Sequence, residues 1–417
     1  MDYFIYKNGA LHAEDVAIAD IAATVGTPFY CYSHATLARH AQVFSDSLAA
    51  LKPLVCFAVK ANSNLAVLKT LAECGLGADV VSEGELRRAL AAGIPAGKIV
   101  FSGVGKTRQE MAFALATGIF QFNVESESEL IALNDVAASR GLKAPMALRV
   151  NPDVDAKTHA KISTGKKENK FGIAIDDAAR LYTLAQSLPH IAVQGVSVHI
   201  GSQLTELAPF RAAYARVRAL VEHLRACGIA IRTIDLGGGL GVPYASDDAP
   251  PPPAEYGALV TEMFGDFGAE FIFEPGRLIS ANAGILVTQV TYVKHAEQVY
   301  VIVDAGMNDL MRPALYDAVH AVVPVRESDG AMTSVSIVGP VCESTDVFLK
   351  NAALRLPNEG DLLALRTAGA YGASLSNSYN SRLLVPEVMV RGAVFSVIRP
   401  RPTYAQMLAA EIIPDWV

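Results

Sequence analysis

Short apolar runs recur along the first two thirds of the chain, at 54–59, 78–81, 99–102, 120–124, 146–150, 194–200, 232–236 and 270–274. Amphipathic stretches separate them, among them 65–74, 85–92, 127–140, 177–188 and 209–227. Apolar runs of this length bounded by turn formers predict buried parallel strands, and the segments between them predict helices. Gly75, Gly93, Gly118, Gly141 and Gly228 close most of the helical segments, as helix C-caps do. Eight strands alternating with helices over about 220 residues predict a (β/α)8 barrel. The competitor is a doubly wound sheet, which seldom has eight evenly spaced units.

The flanks have a different texture. Residues 1–27 hold short alternating segments that read as strands, and 28–33 reads as extended, with Ser33 capping a helix that runs to about residue 50. After Arg277 the segments 285–294, 298–304, 321–326, 334–338, 361–367 and 388–398 are β-branched and alternating. They predict a mostly antiparallel β-domain, completed by the N-terminal strands and decorated by helical pieces at 308–315 and 404–412. The expected division is a barrel over 28–277 and a β-domain from 1–27 and 278–417. Two insertions stand out. One, 153–170, is a basic loop after the fifth strand with Lys157, His159, Lys161, Lys166, Lys167 and Lys170; the other, 245–253, is stiff, polar and proline-rich.

Composition narrows the function classes. The 417 residues are too many for one ordinary domain, and 51% of them are hydrophobic, enough for large cores. A net charge of −7 offers no basic field for nucleic acid. The start lacks the apolar centre of a signal peptide, and no apolar run reaches membrane-spanning length. The five cysteines are scattered without metal-ligand spacing, so they read as reduced thiols in a cytoplasmic protein.

In a (β/α)8 barrel chemistry collects at the carboxyl ends of the strands. Those positions are Lys60, Asp79, Ser82, Ser102, Asn123, Arg149, His199, Gly237-Gly238-Gly239 and Glu274. A lysine at the end of an apolar strand can lose its proton and attack a carbonyl to form an imine, although most such lysines only reach out to water. The glycine run after strand seven lets backbone N–H groups close on a phosphate, where barrels commonly bind one, and Gly276 and Arg277 can add a donor. Glu274 beside it can keep a pyridine nitrogen protonated. His199 would stack on the ring with Ser202 near the phosphate, and Arg149 would partner the ring hydroxyl or the Glu274 network. Each has a plain structural alternative; together they meet the needs of pyridoxal 5'-phosphate (PLP).

Phe57-Ala58-Val59-Lys60-Ala61-Asn62, His199-Ile200-Gly201-Ser202-Gln203, Asp235-Leu236-Gly237-Gly238-Gly239, Glu274-Pro275-Gly276-Arg277, Gly339-Pro340-Val341-Cys342-Glu343-Ser344 and Gly369-Ala370-Tyr371-Gly372 occur in order. With these motifs the chain resembles the PLP-dependent decarboxylases of the alanine-racemase fold type, from about Pro28 to Val390. The segments 158–165, 170–172 and 311–316 point to their diaminopimelate branch rather than the ornithine or arginine ones. The resemblance implies a barrel plus β-domain, and a head-to-tail homodimer with shared sites. It also implies decarboxylation of meso-2,6-diaminopimelate to L-lysine and carbon dioxide, the last step of lysine biosynthesis.

The same resemblance assigns roles. Lys60 would bear the cofactor and Glu274 would face the ring nitrogen, with His199 on the ring and Asp79 and Arg149 in the cofactor pocket. Ser202, Gly238, Gly239 and Gly276 would face the phosphate, and Tyr371 would lie beside the cofactor. Arg277, Arg312 and Tyr316 would hold the retained carboxylate, while Cys342 and Glu343 would come from the other subunit. Cys342, a nearby lysine or water would reprotonate the carbon that loses carbon dioxide. After Arg382 the chain departs from the family pattern, with Leu383-Leu384-Val385-Pro386 where prolines and basic residues are usual. Three alternatives remain: a racemase, which would carry arginine in place of Glu274; an ornithine- or arginine-type decarboxylase; and a catalytically dead, partner-binding relative.

Overall fold

The computed structural model describes residues 2–155, 170–244 and 248–417. It divides into two compact units, one spanning Ala38–Pro243 and Asp247–Ile279, the other Met1–Leu37 and Ser280–Val417 with Tyr244.

In the first unit the eight apolar runs are the strands Leu54–Ala58, Gly77–Val80, Ile99–Phe101, Gln121–Val124, Ala144–Asn151, Ile191–Val198, Thr233–Asp235 and Glu270–Phe273. Each pairs in parallel with the next, and the last pairs with the first through Ile272 opposite Leu54 and Phe273 opposite Val55. The sheet therefore closes into a (β/α)8 barrel. Continuous apolar runs suit these strands because one face fills the barrel and the other lies under helices. Several helices start from a side-chain cap placed just beyond a strand. Ser82, Thr107 and Ser126 accept the N–H of Glu85, Glu110 and Glu129, ahead of the helices Glu83–Ala91, Arg108–Thr117 and Glu127–Ser139. Short capped connections keep the strand ends, and the side chains on them, in fixed register.

The second unit is built on a mixed sheet. Its strand order is Val347–Arg355, Met332–Val338, Val299–Val303, Gly284–His295, Phe29–Ser33, Glu387–Arg391 and Val394–Arg399, with Leu362–Leu365 joining Gly284–His295 to Val322–Pro324. Most pairings are antiparallel, as expected, but Val299–Val303 runs parallel to Met332–Val338, and Phe29–Ser33 parallel to Glu387–Arg391. Phe29–Ser33 thus lies inside this sheet, whereas the sequence reading placed it at the start of the barrel. The barrel unit begins later, within the helix His34–Ser47, whose entry Ser33 caps by accepting the Thr36 N–H at 3.0 Å.

The N-terminal strands Phe4–Lys7, Ala10–Ala13 and Val16–Ala17 make a three-stranded sheet of their own. With the helix that follows them they complete the unit by packing, as Phe4, Leu11, Ile18 and Ile21 bury against Phe29, Ile285, Val287 and Val388. Each such side chain contributes roughly 2 kcal/mol of burial. Ile18–Val25 is a helix where short strands were expected; Ile18 and Ile21, three apart, share its buried face. Val347–Arg355 is a strand that its own sequence does not announce, since Lys350, Asn351 and two alanines are poor strand formers. Pairing with Met332–Val338 decides its conformation. The expected helices at 308–315 and 404–412 shorten to Arg312–Tyr316 and Tyr404–Leu408.

Candidate active site

Lys60 leaves the first barrel strand in a single helical turn, Val59–Ala61. Its Nζ lies 2.6 Å from Asp79 Oδ2 on the neighbouring second strand. Asp79 is fully buried, and its other oxygen, Oδ1, has no hydrogen-bond partner among the described residues. Glu274 follows the eighth strand, which adjoins the first, so the barrel's closure brings the lysine and the acid to adjacent strand ends.

A second buried carboxyl, Asp235, ends strand seven. Asn123 Nδ2, on strand four, lies 2.8 Å from Asp235 Oδ2 and 3.2 Å from Glu274 Oε1, and Ser102 Oγ donates to the same glutamate oxygen at 3.3 Å. Gln121 holds the Asn123 carbonyl at 2.8 Å and accepts from Thr233 Oγ1 at 2.8 Å. A polar ladder thus climbs the barrel interior to the acid pair. Burial, then the charges of Asp235 and Asp79, push the Glu274 carboxyl well above its ordinary range, with Lys60 opposing. Burial also raises Asp235, but hydrogen bonds from Glu274, the Gly237 N–H and the Asn123 amide favour its ionised form. Of the two, Glu274 is therefore the proton holder.

His199, just beyond strand six, accepts the Gly238 N–H at Nδ1, 3.3 Å away. Loss of water around the ring, then Arg149 and Lys60, hold this imidazole well below its ordinary value. It is neutral, with its proton on Nε2. The glycine turn is obligatory on steric grounds. A Cβ on Gly237 would lie 2.5 Å from the Val198 carbonyl oxygen, and one on Gly238 would lie 2.2 Å from that of Glu274. Two of the turn's donors are engaged internally, Gly237 N–H by Asp235 at 2.9 Å and Gly238 N–H by His199. Arg277, buried, donates to Ser202 Oγ from Nε at 3.2 Å and Nη2 at 3.1 Å. Gly276 is buried and Gly239 half-buried on the same rim.

Arg149 was expected to face the ring hydroxyl or the Glu274 network. Its Nη1 instead donates to Glu125 Oε1 at 2.9 Å, and its guanidinium lies 5.0 Å over the Phe171 ring. Glu125, which sequence reading missed, also accepts the N–H groups of Gly103 and Gly172. Its signal was a carboxylate directly after strand four. The basic stretch 153–170 and the segment 158–165 lie largely outside the described residues; Lys170 sits 5.2 Å over Phe171.

The remaining candidates belong to the β unit. Arg312 is buried, and its Nη1 donates to His320 Nε2 at 2.8 Å. Tyr316 ends the same short helix, half-buried. Tyr371 is half-buried in the left-handed region at φ 56°, uncommon for an aromatic residue. Cys342 and Glu343 are exposed on a loop pinned by buried Asp346, which accepts from Met307 N–H at 2.6 Å and Val341 N–H at 2.7 Å. Asn380 Oδ1 accepts the Cys342 N–H at 3.0 Å, and Tyr379 donates to Glu343 at 2.6 Å. The departure at 383–386 begins three residues after Asn380, the last residue that braces these two.

PLP passes a chemical test at the barrel mouth. Three buried carboxyls, Asp79, Asp235 and Glu274, end barrel strands or follow them, Asp79 is paired with Lys60, and one Asp79 oxygen is unsatisfied among the described residues. A protonated ring nitrogen would supply a positive charge that returns Glu274 to its ionised form. Among the described residues no group of three or more histidine, cysteine or acidic side chains is arranged to hold a metal ion.

Residues 34–281 match the family model described as pyridoxal-dependent decarboxylase, pyridoxal binding domain. The diaminopimelate decarboxylase of Vibrio cholerae is 53% identical over 419 residues, with 100% of both chains covered. Among solved structures, diaminopimelate decarboxylase of M. jannaschii in co-complex with L-lysine has a TM-score of 0.95 at 37% identity, over 99% of each chain. The Helicobacter pylori enzyme complexed with L-lysine has a TM-score of 0.90 at 42% identity, covering 92% of this chain and 96% of that one. With the closed barrel, the acid-lined lysine and these likenesses together, the chain belongs to the diaminopimelate decarboxylases, within the PLP-dependent decarboxylases.

Proposed function

We propose that the chain decarboxylates meso-2,6-diaminopimelate to L-lysine and carbon dioxide with PLP. The observation that carries this is the pairing of Lys60 and Glu274 on adjacent strand ends, in a chain 53% identical to a diaminopimelate decarboxylase. Lys60 would hold the cofactor covalently and Glu274 its ring nitrogen. His199 would lie against the ring, with Ser202, Gly238, Gly239 and Gly276 at the phosphate, Asp79 and Arg149 in the surrounding shell and Tyr371 alongside. When bound, the cofactor supplies a cationic ring that accepts the electrons of the breaking carbon–carbon bond.

The chain's own residues do the rest. Asp79, 2.6 Å from Lys60, holds that amine at the strand end by an ion pair. A neutral His199 adds no positive charge against the ring, and a proton-holding Glu274 has that proton ready for the ring nitrogen. Arg277, Arg312 and Tyr316 grip the retained carboxylate, bidentate in the arginine case, and Glu343 pairs with the distal ammonium. Ornithine lacks that second carboxylate and would leave the arginine charges unmatched. Cys342 returns a proton to the carbon that has lost carbon dioxide.

Cys342 and Glu343 are exposed on a rigid loop, which supports their insertion into a partner's site in a head-to-tail homodimer. All five cysteines are unpaired thiols, which supports a reducing, cytoplasmic setting. Carbon dioxide release from meso-diaminopimelate and from ornithine tests the reading, with Lys60→Ala as control. Turnover of the diacid alone, lost together with the near-visible absorbance in the variant, is expected. Turnover retained without Lys60, or a preference for ornithine, would defeat it.

A further inference from the structure

His320 has no part in the roles above, yet it is fully buried and touches one of their residues. Its Nδ1 lies 2.8 Å from the carbonyl oxygen of Arg366, which can only accept, so Nδ1 carries the hydrogen. Nε2 is therefore an acceptor, and Arg312 Nη1, 2.8 Å away, donates to it. The Arg366 carbonyl is itself held in place. The Arg366 backbone N–H donates to the Ala321 carbonyl at 2.8 Å, and its guanidinium reaches Asp2 at 2.8 Å and the Phe4 carbonyl at 3.2 Å. Tyr244 completes the frame. Its ring meets the imidazole edge-on, with centroids 5.3 Å apart at 82°, and the Arg312 guanidinium lies 4.4 Å over the same ring.

We propose that His320 is a positioning residue: it aims Arg312 at the carboxylate the substrate keeps, through an acceptor that brings no negative charge. This rests on the reading of Arg312 as a holder of that carboxylate. A buried arginine is more commonly oriented by an aspartate or glutamate, which would satisfy its geometry and also its charge. An imidazole locked in one neutral tautomer gives the orientation and leaves the attraction for an incoming anion undiminished. Selectivity for a second carboxylate thus depends on His320, which on this reading does not itself touch the substrate.

The test uses the PLP-loaded enzyme as wild type, His320→Gln, His320→Leu and His320→Glu. Dissociation constants are measured for L-lysine, which keeps the carboxylate, and for 1,5-diaminopentane, which lacks it, by titrating the cofactor absorbance. Kinetic constants for meso-diaminopimelate are measured alongside. Glutamine keeps a neutral acceptor and should leave the preference for lysine within about threefold of wild type. Leucine removes the acceptor and should lower the preference about tenfold, and glutamate, by neutralising Arg312, roughly 30-fold. Diaminopentane binding should stay constant, and KM for the diacid should rise more than kcat falls. The proposal is overturned if leucine and glutamate keep the wild-type preference, or if both ligands weaken in step. Should His320→Glu fail to fold, the leucine and glutamine arms decide. A wild type without preference for lysine would instead sink the assignment of Arg312, and this proposal with it.

Discussion

Asp79 sits at the residue scale as the control on Lys60. An anion 2.6 Å from an ammonium favours the charged amine, and only the neutral amine attacks a carbonyl. Asp79→Asn should therefore let the cofactor load at lower pH than in wild type, followed by absorbance; an unchanged pH profile would show the contact to be idle. Glu85, near this pair, has its carboxyl raised from 4.5 to about 7 by burial, partly opposed by the Val81 N–H and Lys60. A raised acid means that the folded chain keeps a proton which the unfolded chain releases. Its stabilising contribution is thus full below about 4.5 and is lost as pH rises through about 7. Cofactor-free Glu85→Gln should show a flatter melting temperature across that window than wild type. At this scale legibility was uneven. Lys60 and Glu274 were visible because charges ending apolar runs stand out. Glu125 and His320 were not, because their partners are distant in sequence and only folding supplies them.

Between residue and molecule lie the turns and strands. The glycine run 237–239 stood out in the sequence, but the tightness of its turn has a cause that only folding supplies, the approach of the backbone at Glu274. Gly238→Ala would set a Cβ against a main-chain oxygen 2.2 Å away, which no rotamer change relieves. A loss of about 3 kcal/mol in urea unfolding is expected, together with weakened cofactor retention; an unchanged midpoint would mean that the turn yields easily. All eight barrel strands could be read from sequence because strands buried on both faces leave unbroken apolar runs. Val347–Arg355 could not, since its partner strand and not its composition makes it extended. Asn123 was visible as a polar residue in an apolar run, but its place under two carboxyls required the closed barrel.

For the whole molecule, the proposed homodimer makes a quantitative prediction. Lys60→Ala and Cys342→Ala chains are each expected to be inactive or nearly so. Mixed and allowed to exchange, they should recover about a quarter of wild-type activity, because half the dimers then carry one intact site of two. No recovery despite exchange, verified by mass, would place Cys342 in the same site as its own Lys60. The two-part architecture was legible because hydrophobic periodicity changes after Arg277. The fate of residues 29–33 was not, because an extended segment before a helix fits either part.

That early strand has one more consequence. Phe29–Ser33 lies between Gly284–His295 and Glu387–Arg391, and Tyr32 donates a 2.5 Å hydrogen bond to Glu387. On the ribosome this strand emerges hundreds of codons before either neighbour, and until they arrive both its edges are bare. All eight barrel strands are made by residue 273, while the sheet still waits for the last part of the message. Translation halted before residue 387 should therefore yield a chain that aggregates through an unpaired edge rather than a merely weakened enzyme.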